Sequence, residues 1–173
     1  MQVASQPGMV AGYNRAVLTP NQAELAFLLR AAKPQPGPAA PAAASGPGGS
    51  DGAAELARLL GRVTVVAKGE VDTVTDGVTV VACDTAGSPR RCEGQGHILA
   101  GATATFLHWA GRASLPPTTA AWAGAHLVRT AAHAAFAAHG RACSAQERTD
   151  RNNTTTTLVG WLVAKFGCKL FIT

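Results

Sequence analysis

The sequence is poor in charged and aromatic residues. Of its 173 residues, 14% are charged and 5% are aromatic, whereas 47% are hydrophobic. Much of the hydrophobic fraction is alanine, so each residue buries less apolar area than the percentage suggests. The composition therefore indicates one globular domain with a modest core, and it excludes a chain that is disordered throughout.

Several sequence patterns that define other protein classes are also missing. No stretch is apolar enough to span a membrane, and the amino terminus has no basic segment followed by an apolar run, so we expect no membrane association and no secretory signal. The net charge of +5 comes from scattered residues, which disfavours nucleic-acid binding. The four cysteines fit neither a zinc site nor a CxxC pair. They indicate reduced thiols, and we expect an intracellular protein of the cytoplasm or the mitochondrion.

The amino-terminal part predicts a strand, a loop and a helix. A short apolar run over 15–20 ends in proline and predicts a buried strand. A helix over 23–30 follows, with Asn21 as its cap and Glu24 at the capping-box position. Residues 33–53 consist mainly of Pro, Ala, Gly and Ser, which predicts a disordered insertion. We therefore divide the chain into a strand–loop–helix unit over 1–32, the insertion, and the remainder over 54–173.

The remainder predicts an α/β layered domain, because strands alternate with helices. Asp76-Gly77 is a strong hairpin signal. His126 and His133 lie two helical turns apart, too far for one metal ion. The predicted elements are a helix over 54–60, strands over 63–67, 72–75 and 78–82, and helices over 98–111, 119–139 and 158–166.

A glycine-rich loop, GSPRRCEGQGH over 87–97, precedes one of these helices. Glycines let backbone N–H groups approach a phosphate, a helix amino terminus favours negative charge, and Arg90 and Arg91 can add charge-assisted hydrogen bonds. It is not a Walker loop, and it follows a loop rather than the first strand of a dinucleotide fold. Turn geometry alone also produces such loops. The segment is a candidate anion site.

Several segments resemble the eukaryotic NAD(P)H-hydrate dehydratases in the same order and at the same spacing. The resemblance extends from about residue 12 to residue 141, apart from the insertion. The matching segments are Gly12-Tyr13, VLTPN over 17–21 with Glu24, TVVAKGE over 64–70, the loop over 87–96, LHWA over 107–110 and HGR over 139–141.

The resemblance implies a ribokinase-like fold, α/β with three α/β/α layers and a mostly parallel sheet, of which the first half is absent here. It also implies an enzyme that uses ATP to convert hydrated NADH or NADPH (NADHX or NADPHX) back to NAD(P)H. In that reaction a base deprotonates the ring hydroxyl, the oxygen attacks the γ-phosphoryl group, and phosphate departs. Mg²⁺ is the implied metal, and an assembly of identical chains is compatible with the sequence.

The same resemblance assigns residues to the implied site. His97 occupies the position of the catalytic Asp and also belongs to the substrate segment, and Glu24 is the implied water-mediated metal contact. The substrate segment comprises Asn21, Gln22, Ala23, Glu24, Leu25, Ala26 and Phe27. The ATP-binding residues are Lys68, Gly69, Glu70, Val71 and Asp72 in one turn, and Gly87, Ser88, Pro89, Arg90, Arg91, Cys92, Glu93, Gly94, Gln95 and Gly96 in the glycine-rich loop.

Simpler roles are open for some of these residues. Asn21 and Glu24 can serve only as a helix cap, Lys68 as a solvated strand end and Asp72 as a turn residue. Two positions depart from the family, since His97 replaces Asp and Glu93 stands where glycine is usual. An imidazole can accept a proton but brings no negative charge.

We therefore expect a dehydratase-family chain with little or no dehydratase activity over residues 1–173 alone. The alternatives are an inactive remnant that binds nucleotide or a partner, and a ribokinase-like kinase for a sugar or vitamin.

Overall fold

The computed structural model describes residues 2–33, 50–89 and 94–140. These residues form a four-stranded sheet with helices on both faces. The helices are α1 (Gln2–Ser5), α2 (Gln22–Ala32), α3 (Ser50–Leu59), α4 (Gln95–Arg112) and α5 (Pro117–His139), with a 3-10 turn at Pro7–Met9, and the strands are β1 (Val17–Leu18), β2 (Thr64–Ala67), β3 (Asp72–Thr75) and β4 (Val80–Cys83).

The sheet is mixed, with the strand order β1-β2-β3-β4. β1 and β2 are parallel, whereas the pairs β2–β3 and β3–β4 are antiparallel. The implied mostly parallel sheet is therefore wrong for the described strands. The reason is local, because connections of about four residues can join only antiparallel neighbours.

The Asp76-Gly77 hairpin forms as predicted. One carboxylate oxygen of Asp76 accepts the N–H groups of Val78 and Thr79, at 3.0 and 2.7 Å. Gly77 has a φ of +88°, a left-handed conformation that favours glycine. This turn fixes the register in which Thr75 faces Val80.

Strand β2 is buried on both sides and separates two layers of helices. Val65 and Ala67 pack into the cluster formed by α2 and α3, whereas Val66, between them, packs with Leu99 of α4 and Ala121 of α5. Successive side chains of a strand point to opposite faces, so this alternation places the sheet between the two layers. The predicted α/β architecture with three layers is confirmed.

Helices α4 and α5 pack closely where small residues face each other. A Cβ on Gly124 would lie 3.1 Å from the Cα atom of Thr103 and closer still to its hydroxyl. Among the described residues, the buried hydroxyl of Thr103 has no hydrogen-bond partner. Close approach of the two helix backbones is the constraint that explains glycine at position 124.

The predicted helix boundaries need small corrections. The capping box at the start of α2 is present as predicted. Helix α3 begins at Ser50, four residues before the predicted start, so the last part of the predicted insertion is helical. Asp51 in its first turn is favourable for a helix amino terminus. Residues 34–49 of the insertion and the predicted helix over 158–166 lie outside the described residues.

None of the helices that the structure describes is both long and apolar enough to cross a membrane.

Candidate functional site

Three predicted site segments meet at one end of the sheet. β1 and β2 are parallel, and β4 runs in the same direction as β2 because each is antiparallel to β3. The segments after these strands therefore leave from the same end. A backbone hydrogen bond of 3.2 Å, from the N–H of Lys68 to the carbonyl of Pro20, joins the segment after β1 to the turn after β2.

The side chain of Lys68 reaches the start of α4. Its ammonium group lies so close to Gly96 that a Cβ there would be 3.3 Å from it. Gly94 is the cap residue of α4, with a φ of +85° that favours glycine. Lysine and a helix amino terminus both favour an anion, so this pair of elements forms an electropositive corner.

The turn over 68–72 is closed by Asp72. Its carboxylate accepts the N–H of Gly69 at 2.9 Å, and only 9% of its side chain is exposed. Glu70 and Val71 are exposed at the outside of the turn. The turn thus presents Lys68 towards α4 and Val71 towards solvent.

The predicted substrate segment starts α2. Asn21 accepts the N–H of Glu24 at 2.9 Å, and Glu24 accepts the N–H of Asn21 at 2.7 Å. Leu25 is buried in the core, whereas Phe27 is 51% exposed. The other members, Gln22, Ala23 and Ala26, are exposed.

His97 lies in the first turn of α4, one residue after Gly96, and is exposed. Its N–H donates to the carbonyl of Gly94 at 3.0 Å. Gln95 and Gly96 belong to the helix rather than to the preceding loop. Before the helix, Gly87 and Ser88 are half-buried and Pro89 is exposed, and the predicted residues Arg90, Arg91, Cys92 and Glu93 lie outside the described residues.

Sequence reasoning missed a polar face on α5. Arg129 donates from Nε to the carbonyl of Thr85 and from Nη2 to that of Glu70, both at 2.5 Å. Its Nη1 lies 3.2 Å from the carboxylate of Asp72. The guanidinium group also packs against Gly87, where a Cβ would lie 3.8 Å away. Arg129 therefore touches both predicted ATP-binding segments.

Two histidines on the same face hold the loop that follows β4. His126 Nδ1 lies 2.7 Å from the Thr85 hydroxyl, and His133 Nδ1 lies 3.4 Å from the carbonyl of Gly87. The ring of Trp122 stacks on His126, with centroids 5.1 Å apart. Positions 122, 126, 129 and 133 recur at helical spacing, and this polar stripe on an alanine-rich helix was the available signal.

The described residues do not build a metal site. Nowhere in the described ranges do three or more His, Cys, Asp and Glu side chains come together. Glu24, the implied metal contact, uses one carboxylate oxygen to cap α2. The described side chains therefore give no support to the predicted contact between Glu24 and Mg²⁺.

A cleft of about 680 Å³ lies at the opposite end of the sheet, near the starts of β1 and β2. It contains none of the predicted site residues. Its wall includes an ion pair of 2.6 Å between Arg62 and Asp76. Burial raises the pKa of Asp76, but the N–H groups of Thr79 and Val78 and the Arg62 guanidinium outweigh burial and lower the pKa below its ordinary value.

Comparisons with known proteins agree with the resemblance seen in the sequence. The sequence profile of the NAD(P)H-hydrate dehydratase family matches residues 1–152. The rat and human proteins named ATP-dependent (S)-NAD(P)H-hydrate dehydratase are each 37% identical, and the alignments cover 99% of this chain. They cover 47% and 46% of those proteins. The protein of the same name from Ixodes scapularis is 39% identical over 78% of this chain and 45% of its own length.

The chain therefore spans about half the length of the curated relatives it matches. Among solved structures, hydroxyethylthiazole kinase from Pyrococcus horikoshii OT3 is similar, with a TM-score of 0.53 and 23% identity. That match covers 86% of this chain and 49% of the kinase. It supports the ribokinase-like fold and says nothing of substrate.

Proposed function

Since the chain belongs to the NAD(P)H-hydrate dehydratase family, we propose that it is part of an enzyme that uses ATP to dehydrate hydrated NADH or NADPH. The observation that carries this proposal is the meeting of three segments at one end of the sheet: the start of α2, the turn over 68–72 and the start of α4. We propose an intracellular place of action, in the cytoplasm or the mitochondrion, where these cofactors are used.

The electropositive corner is the proposed phosphate site. Lys68 supplies a full positive charge, and the first turn of α4 supplies backbone N–H groups and the positive end of the helix dipole. Gly94 and Gly96 keep side chains away from this surface. The triphosphate would thus lie between the turn over 68–72 and the start of α4.

The proposed reaction needs a base beside the phosphate site. The base removes the proton of the ring hydroxyl, and the oxygen then bonds to the γ-phosphorus as the bond to ADP breaks. Phosphate leaves the ring carbon with its bonding electrons while an adjacent ring proton is lost, which restores the double bond. His97, exposed in the first turn of α4, is the residue at the family's base position.

In this proposal any Mg²⁺ is bound by the phosphates of the nucleotide. Mg²⁺ commonly binds through one or two carboxylates together with substrate phosphates. The carboxylate of Glu24 is engaged in its helix cap, so we assign the metal to the triphosphate and derive no step from it.

The second candidate function is nucleotide binding without turnover, and His97 is the observation that favours it. An imidazole in place of a carboxylate brings no negative charge to the hydroxyl proton and has a different reach. A well-placed base contributes roughly 10²–10⁴-fold to the rate, so its loss alone would leave binding intact with little turnover.

Binding and turnover are tested separately. Anisotropy of a fluorescent ATP analogue measures binding to the 173-residue chain, and the ATP-dependent rise of NADH absorbance from its hydrate measures turnover. Lys68→Ala should weaken binding by roughly tenfold or more, because a charge-assisted contact is lost. The matched control is Lys33→Ala. Lys33 lies away from the site, and its ammonium group pairs with the Glu55 carboxylate at a distance of 3.0 Å.

His97→Asp separates the two candidate functions. If the chain binds nucleotide without turnover, the variant should gain dehydratase activity over both the native chain and His97→Ala. Robust turnover by the native chain would instead establish the enzyme and exclude the inactive alternative. Equal binding by Lys68→Ala, Lys33→Ala and the native chain would refute the proposed phosphate site.

A further inference from the structure

We infer that Arg129 is a positioning residue that clamps the turn over 68–72 to the loop over 84–89. The role of Arg129 in nucleotide binding rests on the proposed function, whereas the clamp between the two segments is inferred from contacts alone. Arg129 lies on α5, outside both segments, and only 17% of its side chain is exposed. Nothing in the resemblance to the dehydratases assigned it a role.

The clamp consists of three contacts to two different segments. Nη2 donates to the Glu70 carbonyl and Nη1 contacts the Asp72 carboxylate, both in the turn after β2. Nε donates to the Thr85 carbonyl in the loop after β4. The two segments follow different strands and are not consecutive in the chain, and through Arg129 α5 contacts both of them.

These contacts make Arg129 a positioning group rather than a phosphate ligand. Each of its three guanidinium nitrogens has a protein partner, and its charge is balanced by Asp72. An arginine committed in this way holds backbone geometry, because its planar fork fixes the directions of all its donors.

The clamp is connected to Lys68 through Asp72. The carboxylate that pairs with Arg129 uses the same Oδ1 atom to accept the N–H of Gly69. Gly69 follows Lys68 directly, and Lys68 lies against Gly96 at the start of α4. A shift of the Asp72 carboxylate would therefore move the lysine that we assign to the triphosphate.

Lysine cannot replace arginine in this arrangement. Its ammonium group is a point charge on a flexible stem, so it can keep the ion pair with Asp72 but cannot reach the two carbonyls in fixed directions. Arg129→Lys therefore conserves charge and removes the bridge between the segments.

Two measurements on the 173-residue chain test the clamp. In Arg129→Lys, amide hydrogen exchange should accelerate together in 68–72 and 84–89, and affinity for the fluorescent ATP analogue should fall by roughly tenfold or more. The control, Arg62→Lys, alters another Arg–Asp pair at the far end of the sheet. It should leave both readouts unchanged, while the melting temperatures of the two variants show whether general destabilisation explains the result.

Exchange that is unchanged, or that accelerates in only one of the two segments, overturns the clamp. Unchanged affinity in Arg129→Lys, where the native chain binds the analogue, overturns its positioning role. If the native chain does not bind the analogue, the proposed nucleotide function of this chain fails, and exchange in the two segments still decides the clamp.

Discussion

At the scale of single residues, Asp76 illustrates a carboxylate stabilised by its neighbours. It accepts two N–H groups of its own turn and pairs with Arg62, which together outweigh the effect of burial on its pKa. A carboxyl with a lower pKa in the folded chain than in the unfolded chain stabilises the fold in its ionised form.

The stabilisation by Asp76 should depend on pH. It is fully present above the ordinary pKa of 3.8 and is lost as the pH falls through the lower folded value. In Asp76→Asn, the decrease in unfolding free energy between about pH 5 and about pH 2 should be smaller than in the native chain. Urea denaturation across this pH range measures the unfolding free energy, and Asp84→Asn, at an exposed position, is the control. Equal pH dependence in the native chain and Asp76→Asn would contradict the prediction.

The sequence predicts the contacts of single residues where these residues belong to a local pattern. Asn21 and Glu24 form the expected capping box. Lys68 and Gly96 lie side by side, and the ATP-binding roles that the dehydratase resemblance implies for them stay predictions. Arg129 was not predictable in this way, because its partners are 44 to 59 residues away in the chain. The stripe at 122, 126, 129 and 133 marks a polar face of α5, but nothing near Arg129 in the sequence identifies the distant carbonyls to which it donates.

At the scale of elements, local signals located most helices and strands. Strand β3 has the predicted bounds, and α4 and α5 start two or three residues before the predicted positions. The Asp76-Gly77 turn predicted the antiparallel pair of β3 and β4, whereas the antiparallel pairing of β3 with β2 was not predicted, since the family resemblance suggested a mostly parallel sheet. The short connection after β2 is the local signal for this direction, because parallel neighbours need a long crossover.

Two glycines, one between α4 and α5 and one on the open face of α4, lead to opposite predictions for the unfolding free energy. Gly124→Ala places a methyl group against the backbone of Thr103 and should lower the unfolding free energy by about 1–3 kcal/mol. Gly101→Ala, on the open face of α4, should raise it by up to about 1 kcal/mol, because alanine favours a helix over glycine. Urea denaturation of both variants checks the signs. A stabilising Gly124→Ala would show that the helices separate without cost.

At the scale of the whole molecule, the described sheet has two edges, β1 and β4. Val80 of β4 is 55% exposed, and Val78 in the preceding turn is 71% exposed. An edge strand with apolar side chains can pair with another chain. We therefore predict that the 173-residue chain associates with itself through β4.

Val80→Lys should reduce this association, because a charged side chain on an edge strand opposes pairing with a second copy. Sedimentation velocity at several concentrations would measure the monomer fraction, which should rise in the variant. Leu115→Lys, a change at an apolar residue of similar exposure between α4 and α5, should leave the fraction unchanged. An equal rise in both variants would indicate general apolar contact instead of edge pairing.

The stacking of Trp122 on His126 has a practical consequence for the whole molecule. The indole N–H donates to the carbonyl of Ala82 at 3.1 Å, and the imidazole contacts Thr85 at the start of the loop. Any rearrangement of that loop alters the surroundings of the indole ring. In a chain whose other tryptophans, Trp109 and Trp161, are replaced by phenylalanine, emission from Trp122 would follow events at the edge of the candidate site without an attached dye.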